Sequence, residues 1–147
     1  MAGKLQWDPD DPPATICAEY FSALALPEHH GDAWDRMTFD LRAHMARLML
    51  EDIDRVDPAA VSTVLDGPTP GNFIWDAFAM WHAGHIHSRW GMLFLLGARL
   101  WSEPGDRNDV RLVHLDAVPD DGMRHTFMVS DVDGWKVDAL PEAPPDA

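Results

Sequence analysis

FIWDAFAMWHAGHIHSRWGMLFLLGARLW, residues 73–101, is the stretch whose reading decides the fold. Four of the seven tryptophans, three of the eight histidines and two arginines fall within it. Phe78, Met80, Met92, Leu93, Phe94, Leu95 and Leu96 surround them. So much apolar surface has to be buried, and the polar groups among it must find partners or line a cavity. Ile74, Phe78, Trp81, His85, Met92, Leu96 and Leu100 roughly follow the i, i+3, i+4, i+7 spacing of a helix. Gly84, Gly91 and Gly97 are the places where such a helix would kink or change type. On it His82, His85 and Arg89 form one polar stripe, and His87 points elsewhere. In an extended chain His85, His87 and Arg89 would share a face instead.

Upstream of this stretch the punctuation predicts helices. An acidic, Pro-rich arm over residues 1–11 is expected to be loosely ordered. Asp11-Pro12-Pro13 then supplies a cap and prolines where no amide donor is needed, so a helix should run to about Leu26. Asp32 reads as the cap of a second helix that continues as far as Val56, with Trp34, Met37, Leu41, Met45 and Leu48 inward. Asp57-Pro58 opens a short helix that stops near Gly67, and Gly67-Pro68-Thr69-Pro70-Gly71 is a loop. Downstream, residues 102–109 read as a turn-rich loop. Then the period changes to that of strands, over Val110–Ala117, Met123–Asp131 and Trp135–Leu140. Pro119-Asp120-Asp121-Gly122 and Asp133-Gly134 are the turns between them, and residues 141–147 form a loose tail. The fold class expected is α+β: a helix-rich N-terminal two-thirds packed on a C-terminal antiparallel meander, in a single domain over residues 1–147.

Composition removes several functions. A chain of 147 residues carries 25 acidic against 11 basic side chains, a net charge of −14. Such a surface repels nucleic acid and anionic membranes, so neither is an expected partner. The longest apolar run, Gly91–Leu100, is too short to span a bilayer. The N-terminus has no apolar segment of the signal-peptide kind, and Cys17 is alone, which makes the cytoplasm the expected compartment. No phosphate-binding loop, dinucleotide fingerprint, nucleophile elbow or Cys-x-x-Cys is present, so no cofactor is expected.

Two passages carry a resemblance. One is Glu19-Tyr20-Phe21-Ser22-Ala23-Leu24, followed after a break by Gly31-Asp32 and a second helix. The other is Phe127-Met128-Val129 with Asp133-Gly134-Trp135-Lys136-Val137. Both resemble the cone-shaped α+β barrel of nuclear transport factor 2, the ketosteroid isomerases and the SnoaL-type polyketide cyclases. The resemblance implies a cystatin-like cone around an apolar pocket, an isomerase or cyclase activity, and homodimers paired through the open face of the sheet. It also implies Tyr20 as an oxyanion donor and Asp57, in Asp57-Pro58, as a base. The family's second acidic oxyanion donor has no counterpart; Arg124 and His125 lie nearest. After the second helix the family has a strand where this chain reads as helix.

The candidate residues therefore divide by role. Tyr20, Asp57, His82 and His85 are the acid/base candidates, a buried phenol serving a developing oxyanion and a desolvated carboxylate removing a proton. Arg89, Trp81, Trp75 and Phe78 are the substrate-binding candidates. A guanidinium in an apolar stretch must be paired, either by a carboxylate such as Asp40, Asp52 or Asp76 or by the carboxylate or enolate of a substrate. The expected ligand is an aromatic or alicyclic acid or ketone. Two other readings stand beside this one. The protein could be an acidic domain that covers a basic partner, or His82 and His85 could bind a metal with a third ligand from elsewhere.

Overall fold

The computed structural model describes residues 5–53, 57–117 and 124–141. Asp11 opens α1 (Pro12–Leu24), its carboxylate accepting from the Ala14 amide while the two prolines fill the first positions. That carboxylate also takes the Ser102 amide and hydroxyl, at 3.1 and 2.7 Å, which pins the start of α1 to the sheet. A 3-10 turn over Pro27–His29 follows.

The single helix expected from Asp32 to Val56 is two helices, α2 (His30–Asp35) and α3 (Phe39–Asp52). Thr38 makes the break. Its backbone is extended (φ −71°, ψ 161°), and its hydroxyl accepts from the Leu41 amide as the cap of the new helix. The backbone groups left over are satisfied by the sheet: Val137 donates to Arg36 O at 2.7 Å, and Thr38 donates to Val137 O at 2.9 Å. Arg42 closes the corner, donating twice to Trp34 O with its guanidinium 4.8 Å above the Trp34 ring.

A short α4 (Ala60–Leu65) leads to α5 (Phe73–Leu96), capped by Asn72, whose side chain accepts from the Ile74 and Trp75 amides. This helix runs unbroken past Gly84 and Gly91. Gly97 ends it at φ +110°, a backbone that a side chain would strain.

Five strands form one sheet in the order β1 (Leu5–Gln6), β2 (Ala98–Pro104), β3 (Val110–Ala117), β4 (Arg124–Asp131) and β5 (Trp135–Ala139). Only the β1–β2 pair is parallel; the rest is an antiparallel meander. Three expectations change here. Residues 98–104 form a strand rather than helix end and loop, because Gly97 turns the chain directly into the ladder. Within the arm expected to be loose, Leu5 and Gln6 add to the β2 edge, and Trp7 packs against the core. The sheet is open, not closed into a barrel, since β1 and β5 are edges. The Asp133-Gly134 turn forms as expected, with φ of 55° and 101°. The expected Pro119–Gly122 turn and residues 142–147 lie outside the described residues.

The class is α+β, with helices first and the meander last. The core sits between the helices and one face of the sheet. Phe21 meets Phe94 and Phe127 at ring centroid distances of 4.8 and 5.2 Å, and Trp90 meets Phe127 at 5.1 Å. Trp34 stands edge-on to Trp75 and Phe78. Leu100, Val113, Leu115, Val129 and Val137 complete this interior. Among the described residues no helix is long and apolar enough to cross a membrane.

Candidate functional site

Side chains at i and i+4 share a helix face. On α3, His44, Leu48 and Asp52 follow that spacing, and on α5 so do His85 and Arg89. Where the two faces meet they line a groove of about 300 Å³, with Met45, Trp90, Leu140 and Pro141 completing its walls. That volume is at the small end of ligand pockets.

The groove's polar groups are held in order. Arg89 Nη1 lies 3.0 Å from His85 Nδ1 and 3.3 Å from the His85 carbonyl. A guanidinium only donates, so Nδ1 accepts and the His85 proton sits on Nε2. Partial burial, Arg89 and His44 lower the His85 pKa, with Asp52 opposing them, so the ring is neutral at physiological pH. Trp81 stacks on the opposite side of that ring at 4.8 Å and donates its indole N–H to Asp52 at 2.9 Å. Among the described residues no carboxylate lies within ion-pair distance of Arg89. The expected pairing with Asp40, Asp52 or Asp76 does not form. The groove lining carries one guanidinium, Arg89, and one carboxylate, Asp52, the latter accepting from the Trp81 indole N–H, inside a protein of net charge −14.

The remaining candidates fall elsewhere. Tyr20 and His82 are both buried and share a hydrogen bond of 2.6 Å, Oη to Nε2. Burial pushes the Tyr20 phenol up, and burial with the neighbouring His30 and His85 lowers His82 to about 3. Tyr20 has no solvent exposure, so no water-sized molecule reaches it. Asp57 is exposed ahead of α4, its carboxylate accepting from the Ala59 amide at 2.9 Å. The phenol and the carboxylate that the resemblance implies as a catalytic pair therefore do not face one cavity. Trp75 and Phe78 are core residues packed on Trp34. Of the expected site, His85, Arg89 and Trp81 come together, beside Asp52, which the sequence offered only as an ion-pair partner for Arg89; His44 and Trp90 join them from positions given no role there. For a metal, His82 Nε2 is taken by Tyr20 Oη and His85 Nδ1 by Arg89 Nη1. Among the described residues no group of three His, Cys, Asp or Glu side chains could hold an ion. Cys17 is buried, and burial raises its pKa well above the ordinary thiol range, so it is no nucleophile.

Two other features are polar or hollow. A larger hollow of about 470 Å³ lies between Glu28, His30, Gly31, Pro68, Pro70 and the Trp75–Met80 side of α5; it has no Lys or Arg in its lining. On the sheet face turned away from the helices, Trp101, His114 and Thr126 stand opposite one another across three strands. His114 bonds Thr126 Oγ1 at 2.8 Å and Glu103 Oε1 at 2.9 Å. Beside it Trp101 donates to Asp116, which Arg124 also contacts while lying over the Trp101 ring. Burial raises the Asp116 pKa, but those hydrogen bonds and the Arg124 charge outweigh it and leave it lowered. Apolar side chains were expected on both faces of the sheet; this outer one carries the paired Leu112 and Met128 beside the polar network.

Compared with protein-family models, curated proteins and solved structures, the chain finds no match.

Proposed function

We propose that this protein binds a small organic anion in the groove between α3 and α5, an aromatic or alicyclic carboxylate or the enolate of a ketone. The observation that carries the reading is Arg89: a cation in a strongly acidic protein, with no carboxylate partner among the described residues, held in place by His85 at 3.0 Å. A bound carboxylate would supply the missing partner, and the guanidinium offers it a planar pair of donors. His85 Nε2–H and the His44 ring add polar contacts, while Met45, Leu48 and Trp90 give the ligand's ring an apolar floor.

Isomerase or cyclase chemistry through Tyr20 and Asp57 is not part of this reading, because one is sealed and the other open to water. A proton transfer in the groove would fall to His44 or His85. The test is a tryptophan fluorescence titration with naphthoate, cyclohexanecarboxylate and the uncharged naphthamide. Trp90 lines the groove, so saturable quenching by the carboxylates and none by the amide is expected; equal responses to acid and amide would remove Arg89 from the account.

The net charge of −14 favours a second reading, in which the domain covers a basic protein partner. Salt-sensitive capture of one specific basic protein, competed by no small acid, would favour it over the groove.

A further inference from the structure

The outer face of α5 has no work to do within one chain, and its composition is unlike the rest of the surface. Exposed along it are Phe73 (82 %), Met80 (76 %) and Leu95 (70 %), with Met92 (67 %) to one side on the His85 row and Leu26 (48 %) just beyond α1. These side chains present on the order of 600 Å² of apolar surface, at the upper end of what a typical monomer leaves exposed in its largest patch and somewhat below the roughly 800 Å² that each partner gives to a standard interface. The helix carries only two charged side chains, Asp76 and Arg89, of opposite sign, and Arg89 turns to the groove.

Gly84 is the second observation. It sits at the middle of α5, where glycine costs about 1 kcal/mol against alanine, and a Cβ there would meet nothing within 4 Å. Nothing among the described residues calls for a glycine at that position. Close approach of another backbone does.

We propose that two copies of this chain pair through α5, antiparallel, about a two-fold axis at Gly84. Three of the four exposed apolar side chains of α5, Phe73, Met80 and Leu95, lie on the same face as that residue; Met92 lies to one side of it. Phe73 and Leu95 are each eleven positions from it, Met80 and Ser88 each four, and Ala77 and Gly91 each seven. A two-fold axis therefore sets Phe73 on the partner's Leu95, Met80 on the partner's Ser88 and Ala77 on the partner's Gly91, with the two Gly84 residues at the crossing. Large meets large at the ends, glycine meets glycine at the crossing, and between them Met80 lies over the small Ser88. Such self-complementarity is what an isologous interface requires, and it is why the occupant is a second copy rather than an unrelated protein. Electrostatics agrees: two bodies of −14 repel, and this helix, with no net charge, is where they can touch with least repulsion. His85 and Arg89 lie off this face, so the groove stays open in the pair. The open face of the sheet, where the family resemblance implied pairing, is occupied by the Glu103, His114, Asp116 and Arg124 network.

Light scattering on the full chain at micromolar concentration tests this. The wild type should give about twice its chain mass of 16.5 kDa, and association should tighten as salt screens the repulsion. Met80→Asp should return the mass to that of one chain with its circular dichroism unchanged, and Met80→Asp with Ser88→Lys should restore the pair by placing opposite charges across the axis. As a check independent of those substitutions, Phe73→Cys with Leu95→Cys should give a covalent dimer on oxidation. A wild type that stays monomeric at high salt overturns the proposal. So does a dimer indifferent to Met80→Asp, or an assembly larger than two.

Discussion

Acid should unfold this protein through His82. Its ring lies in the core against Tyr20 and Phe78, with its pKa lowered to about 3 by burial first and by His30 and His85 after it. In the unfolded chain a histidine titrates near 6.5. Because the folded value is the lower one, the unfolded state binds the proton more readily as pH falls. The stability contributed by a neutral His82 is complete above about pH 6.5 and drains away between there and about pH 3. Each pH unit well inside that window removes about 1.4 kcal/mol, so lowering the pH from 7 to 5 should remove roughly 2 kcal/mol through this one group. For a domain with about 5–15 kcal/mol in all, that is a readable loss. The assay is urea unfolding followed by tryptophan emission at the two pH values, on the wild type and on Tyr20→Phe with His82→Leu. That double substitution removes both hydrogen-bonding partners together, so no buried polar atom is stranded. The wild type should lose roughly 2 kcal/mol more than the variant between pH 7 and 5. Equal losses in the two proteins would refute the reasoning, and so would a wild type whose stability does not change.

Two further substitutions probe how the helices are joined to the sheet. Asp138 accepts from Thr38 Oγ1 at 2.7 Å and from Ser130 Oγ at 3.1 Å, tying the cap of α3 to β4 and β5. Asp138→Ala should cost about 2 kcal/mol by denaturant unfolding, and a loss below a few tenths would show the cap to be independent of the sheet. On the outer sheet face, Thr126→Val removes the hydroxyl that His114 Nδ1 meets at 2.8 Å. Roughly 1 kcal/mol of stability should go with it while ligand titrations in the groove stay as they were; a change in ligand binding would move the functional site to the sheet.

What could be read from the sequence followed from local chemistry. Asp11-Pro12-Pro13 opened α1 as its cap and ring constraints require, and the strand pattern expected over residues 110–117, 123–131 and 135–140 located the three strands Val110–Ala117, Arg124–Asp131 and Trp135–Ala139. The joint between α2 and α3 was missed because it contains neither Gly nor Pro; only Thr38, a good cap residue, marked it, and its sheet partner Val137 is far along the chain. β2 was hidden because its apolar residues continue the run of α5, with Gly97 as the sole boundary. For the site, His85 and Arg89 were visible as polar residues on one helix face. Their neighbours His44 and Asp52 come from a different helix, and the Tyr20–His82 bond closes across sixty-two positions. No periodicity within a segment records which faces of two segments meet.

The groove's claim to function rests on Arg89, and one variant tests it. Arg89 is exposed and has no carboxylate partner among the described residues, so Arg89→Gln strands no buried charge, and only the contact to His85 is lost or taken over by the amide; the melting temperature should stay within a degree or so of wild type, a surface effect of under about 0.5 kcal/mol. Isothermal titration with naphthoate should then show saturable binding to the wild type and binding at least tenfold weaker to the variant, the loss of one charge-assisted contact of about 1.4 kcal/mol or more. Unchanged naphthoate affinity in an Arg89→Gln protein that melts like the wild type would contradict the assignment of the groove as an anion site.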